Sequence, residues 1–244
     1  MQATASAVHE ECLPLRRAAI VLILVAALGM ADCGRQVTPD PTSFTNLSGK
    51  MVIRFRTKGP MDFNNFNYVM VFNTCGVGGE PYPNAFNTTF TNYSYAFAIG
   101  ATYGIAGAAL FQYVLAPGSS NQLNPLPVSN GAGTTQLVLN DNNANNEFQL
   151  TFARGLLNNP LNQKVCQNTP AGTPTNLWYI NFFTLDKNGI VQDSLGVGGP
   201  NDNSFSFNID VTTNSQNPLF RPAGPALPSN PAAQIDGGEI DTFL

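Results

Sequence analysis

Leu177 to Leu185 reads LWYINFFTL, apolar at nearly every position. A strand covered by protein on both faces has this pattern, because neither of its alternating sets of side chains meets water. Asp186-Lys187-Asn188-Gly189 follows, with Asn-Gly as a turn signal, and Ile190 to Leu195 resumes as a second strand. Outward from this pair a period of two recurs along the chain. Phe205, Phe207, Ile209 and Val211 are separated by Ser206, Asn208 and Asp210, and Phe148, Leu150 and Phe152 by Gln149 and Thr151. Gln136 to Leu139 and the asparagine cluster DNNANNE precede Phe148, which predicts a hairpin. Met51 to Arg56 alternates Ile53 and Phe55 with Arg54 and Arg56, and Tyr68 to Asn73 is a more apolar strand. Residues 117–134 are rich in Pro, Gly, Ser and Asn and read as a long surface loop. About eight or nine strands without an amphipathic helix predict an all-β fold, an antiparallel β-sandwich, with a closed barrel as the alternative.

Ala96 to Ala116 lies within a stretch, Pro81 to Asn140, that has no charged residue, and it contains the helix-pairing pattern Gly100-x-x-x-Gly104. Yet Tyr93, Tyr95, Phe97 and Ile99 recur every second residue, and glycines 100, 104 and 107 punctuate before Ala108 to Leu115. The expectation is two strands rather than a membrane span.

Arg16 to Cys33 reads RRAAIVLILVAALGMADC: two arginines, an uncharged apolar run from Ala18 to Met30, then small residues. This is the order of a secretory signal. The run makes a helix of only ~20 Å, short of the ~30 Å hydrocarbon core that a permanent anchor must cross. The end of the run resembles the signal of bacterial lipoproteins, in which aliphatic and small residues lead into a cysteine that is lipidated and becomes the first residue. Gly34 suits the position after that cysteine and Ala31 is small, whereas Met30 stands where Leu is usual and Asp32 where a small residue is usual. The resemblance implies lipidation at Cys33 and a bilayer partner through an N-terminal acyl anchor. Cleavage after Ala31, at the small-x-small site Gly29-Met30-Ala31, is the alternative, and it leaves a secreted chain with a free Cys33 thiol. The expected organisation is a signal over 1–33, a tether over 34–49, the sandwich over 50–217 and a Pro-rich segment over 218–244.

Charged residues are 11% of the chain, less than half the usual ~25%, while asparagines number 29. Nine basic residues stand against twelve acidic ones after Cys33, without a basic cluster, so a nucleic-acid partner has no electrostatic footprint. Cys12 leaves with the signal, and Cys75 and Cys166 remain as an even pair in an exported chain. A disulfide between them closes a loop of about 90 residues, for which chain entropy gives roughly 4 to 5 kcal/mol as an upper figure. His9 is the one histidine and precedes the signal. Its removal excludes Ser-His-Asp and Cys-His nucleophiles and histidine-ligated metals.

Three candidate sites remain. Asp141, Asn143, Asn145 and Glu147 alternate oxygen-bearing side chains as the first positions of calcium loops do, but lack the glycine and distal glutamate of an EF-hand; hairpin turn chemistry also explains them. Trp178, Tyr179 and Tyr82, with tyrosines 93, 95 and 103, can form a platform on which sugar rings stack, although aromatics in strands also serve as core. Two carboxylates across a groove would make a histidine-independent polysaccharide-acting enzyme. Pro222, Pro225, Pro228 and Pro231 fall at every third residue, the period of a polyproline II helix, and read as a docking arm or as a strap over the domain. The expectation is an exported cell-envelope module, lipid-anchored at the membrane surface, that binds a protein or polysaccharide partner or plays a structural part. It carries no cofactor and is not an enzyme.

Overall fold

A computed structural model describes residues 47–75, 94–115, 123–128, 135–139, 143–157, 175–195, 207–220 and 227–244. All of them belong to one compact unit, Asp40–Leu244. In chain order the strands are β1 (Lys50–Thr57), β2 (Phe66–Asn73), β3 (Tyr95–Gly100), β4 (Gly104–Leu115), β5 (Leu123–Val128), β6 (Thr135–Val138), β7 (Glu147–Ala153), β8 (Leu177–Asp186), β9 (Val191–Ser194), β10 (Phe207–Asp210), β11 (Ser215–Phe220) and β12 (Ile235–Thr242). They form two antiparallel sheets, one in the order β11-β12-β1-β7-β6 and the other β10-β8-β2-β3-β4-β5, with β9 also paired to β8. The fold is a β-sandwich.

Alternation along each strand builds the core between the sheets. Met51, Ile53 and Phe55 of β1 and Phe148, Leu150 and Phe152 of β7 face Tyr68, Met70 and Phe72 of β2 and Trp178, Ile180 and Phe182 of β8. Phe55 stacks on Phe182 with ring centres 4.8 Å apart, and Phe152 packs on Phe97 at the same distance. The second face of the larger sheet is apolar too: Val69, Val71, Ala96, Ala98, Tyr113, Phe183 and Leu185 form a separate buried cluster. β8 therefore buries both of its faces, as its composition predicts. Of the Ala96 to Ala116 stretch, residues 96–115 form the β3–β4 hairpin. Among the described residues no helix is long and apolar enough to cross a membrane.

Two expectations need correction. Within the loop foreseen at 117–134, residues 123–128 are the edge strand β5, although it carries Pro125 and Pro127. Tyr113 N donates to Ser94 O, so with the strand register the main chain of Leu110, Gln112 and Val114 turns to β5 and meets Val128, Leu126 and Asn124. Both prolines then occupy positions whose missing N–H would point away from the sheet, where it costs no ladder bond.

The sandwich also does not end at 217. β12 lies inside the smaller sheet, paired to β1 on one side and β11 on the other. Its sequence IDGGEIDT is compatible with an edge strand but shows little sign of an interior one, because Gly237 and Gly238, of a residue type that usually weakens strands, interrupt its alternation. They are glycine for a steric reason: at φ +137° and +158°, a Cβ would run into the carbonyl oxygens of Leu219 and Arg54. Before β12, residues 228–234 form a strap, which was one of the two readings of the Pro-rich segment; Pro222 and Pro225 lie outside the described residues. The Tyr68 hydroxyl donates to Ala232 O and that of Thr184 to Ala233 O, while Lys58 N and Gly59 N donate to Gln234 O and Pro231 O. Burial holds the Tyr68 hydroxyl above its ordinary pKa, so it stays protonated as that donor.

Candidate functional site

The described carboxylates fall into two groups. Those in turns are spent on local main chain: Asp62 Oδ1 accepts from Asn64 N and Asn65 N, Asp186 Oδ1 from Asn188 N and Ile190 N, and Asp210 Oδ1 from Thr212 N. These are the Asx turns that asparagine and aspartate favour. The second group, apart from Asp193, lies on the outer face of the smaller sheet. There β1 projects Arg54 and Arg56 between β12 and β7, because Ile53 and Phe55 take the inward positions. Arg54 Nη1 donates to Glu239 Oε2 at 3.1 Å and to Asp241 Oδ2 at 3.0 Å. Arg56 Nε donates to Asp236 Oδ2 at 3.1 Å, and its Nη1 lies 3.5 Å from Glu147 Oε2. Burial alone pushes the Arg54 guanidinium down, but Asp241 and Glu239 beside it more than offset this and hold it above its ordinary value. Asp193 is fully buried, and its Oδ2 accepts from Ile235 N at 2.8 Å, which pins the start of β12 to β9. Each of these carboxylates is held in place by an arginine or by backbone N–H groups, so its position is set by the strands and turns around it.

Among the described residues the sugar platform is not assembled. Trp178 is fully buried, with its ring edge-on to Phe72 and its Nε1 donating to Thr175 O at 2.9 Å. An indole enclosed by core side chains has no face left for a sugar ring. Tyr179, next along β8, is half-buried on the opposite face, Tyr95 lies in the core, and Tyr103 packs on Phe111 beyond the larger sheet. Tyr82 and Tyr93 lie outside the described residues.

The calcium candidate separates as well. Asn143 and Asn145 are exposed in the β6–β7 turn, with Asn145 at φ +53°, whereas Glu147 begins β7 and turns its carboxylate toward Arg56. Asp141 lies outside the described residues. Turn chemistry accounts for the asparagines, since Asn tolerates the left-handed conformation at little cost.

Cys75 is buried just past β2. Cys33 and Cys166 lie outside the described residues. Thr175 N donates to Thr74 O at 2.8 Å, so the chain re-enters the described fold beside Cys75.

Sequence reading missed the arginine–carboxylate network. Its visible signal was Glu239 and Asp241 at the same spacing of two as Arg54 and Arg56. Placing them together needed the β1–β12 pairing, which joins residues 185 and 187 apart. The chain matches no family model, no curated protein and no solved structure.

Proposed function

We propose that this chain is an exported bacterial cell-envelope module, lipid-anchored at Cys33, with a binding or structural role and no catalysis of its own. One observation carries the reading: an export-type sequence from Arg16 ends at Cys33, shortly before a β-sandwich begins at Lys50. The carboxylates held by arginines and turn amides support a non-catalytic role, because none of them stands across a groove from another as a free acid and base would. Trp178 in the core removes the strongest residue of a sugar platform.

We further propose that Cys75 pairs with Cys166. Cys166 stands midway between Leu157 and Thr175, both of which are tied into the sandwich, and Thr175 bonds to the neighbour of Cys75. The test is the intact mass of the protein recovered from the native membrane fraction, with and without reduction before alkylation. A mass beginning at Cys33 with diacylglycerol, and two thiols alkylated only after reduction, is the expected result. A chain still carrying Met1 overturns the export reading, and a lipid-free chain beginning at Asp32 overturns the anchor.

A further inference from the structure

The two sheets stack strand over strand. Ring contacts place Phe55 of β1 on Tyr68 of β2, and Phe152 of β7 on Phe97 of β3. At one flank β12 lies against β8, and at the other β6 lies against β4. The larger sheet continues one strand beyond β4, to β5, whereas the smaller one stops at β6. Among the described residues β5 thus has no strand facing it.

Among the described residues no strand pairs with the edge of β6 beneath that overhang. Arg154 N donates to Gly49 O and Thr57 N to Asn146 O, so the even-numbered residues of β7 turn their main chain to β1 and the odd-numbered ones to β6. Gln136 and Val138 face Thr151 and Gln149 in register and take those bonds. The N–H and C=O groups of Thr135 and Leu137 therefore point away from the sheet.

The other proline-bearing edges are guarded. Pro125 and Pro127 fill outward positions of β5, and the same register argument places Pro218 of β11 outward, since Phe243 N donates to Lys50 O. β6, Thr-Gln-Leu-Val, has neither proline nor charge.

The geometry points to this sixth position of the smaller sheet, which no described strand fills, as a binding site for one extended strand of another protein. The strand would pair with Thr135 and Leu137 and lie beneath β5. A sheet edge that accepts a strand draws affinity from main-chain hydrogen bonds and selectivity from alternate side chains. The incoming strand would thus be apolar at every second residue, toward the core, and uncharged, like the edge it joins. A second copy cannot enter by pairing its own β6, because its β4, which covers that strand, would have to occupy the place of β5. This names a partner class for the binding module proposed above, and its test depends on neither export nor lipid.

The experiment uses the full chain with an uncharged synthetic peptide of alternating Val and Thr, and a twin N-methylated at every second amide. Binding is followed by calorimetry and by hydrogen exchange at single amides. The plain peptide is expected to slow exchange at Thr135 and Leu137 while the methylated twin does not. Thr135→Pro removes an outward N–H that the fold does not use and is expected to weaken binding about tenfold, whereas Thr135→Val keeps it and binds as the parent does. Equal binding of the twin overturns the proposal, as does absence of binding at millimolar peptide. Leu137 exchanging as slowly as Gln136 and Val138 in the unliganded chain also overturns it, by showing that the position is already filled.

Discussion

Arg54 shows how a chain with few charges places them. Its guanidinium is mostly buried, yet the two carboxylates it holds, Glu239 and Asp241, come from one strand at a spacing of two, so a single side chain satisfies both. Removing one partner of such a group takes its ion pairs from the charges that remain, which is the costly event at a buried pair. Arg54→Ala is expected to lower stability by about 3 kcal/mol in urea denaturation, whereas adding Glu239→Gln and Asp241→Asn to it should recover part of that loss. Asp210 is a contrasting, fully exposed case. Hydrogen bonds from the Thr212 hydroxyl at 2.6 Å and its N–H at 2.9 Å favour the charged carboxylate and lower its pKa. A lowered folded-state pKa adds stability above the unfolded value, and that stability is lost as pH falls through the folded one. Thr212→Val should raise the Asp210 titration midpoint measured by NMR, and an unchanged midpoint would show that the hydroxyl is not its cause.

At the scale of elements, β12 is the strand on which the smaller sheet depends. It pairs with β1 and β11, and its first residue is held by Asp193 of the other sheet. Gly238 lets the backbone pass the Arg54 carbonyl and the Phe182 ring. Gly238→Ala is expected to cost about 2 to 4 kcal/mol, because the added methyl group has a carbonyl oxygen and not a flexible side chain in its way. Gly49→Ala provides the control: its φ of +73° strains an alanine too, but no atom lies within 4 Å of the new methyl, so a smaller loss is expected. The edge strands show the opposite economy. Their prolines sit where no ladder bond is lost, so residues that argue for a loop in the linear sequence are compatible with a strand at the margin of a sheet.

At the scale of the whole molecule, the two sheets are joined mainly by aromatic packing and by the strap that runs from Pro228 to Gln234 over Tyr68 and Thr184. The proposed Cys75–Cys166 bond would restrain a loop of about 90 residues, and reduction should lower stability by up to roughly 4 kcal/mol. Cys166→Ser should then lower the melting temperature as much as reduction of the parent does and make the variant insensitive to reductant. A variant that still responds to reductant would assign Cys75 another partner.

The strands were legible wherever their own side chains recorded which face is buried. β1, β2, β7 and β8 could be read from alternation, or from its absence on both faces, because burial acts residue by residue along a strand. The turn at Asp186 was legible for the same local reason, whereas Asp210, whose carboxylate caps a turn, had the alternation of a strand. β5 and β12 were not legible, since their prolines and glycines record a position in the sheet and a neighbouring backbone, neither of which is local. Trp178 read equally well as a ligand platform or as core, and only the second sheet closing over it decided between them. Local side-chain pattern was enough for the all-β character, the β8 strand buried on both faces and the turn at 186–189. It took the folded arrangement to bring Arg54 to Glu239 and Asp241, to make β12 an interior strand and to end the smaller sheet, among the described residues, at β6, one position short of β5. Each of these depends on which distant segments lie side by side, and pairing between segments nearly two hundred residues apart leaves no periodic mark in either one.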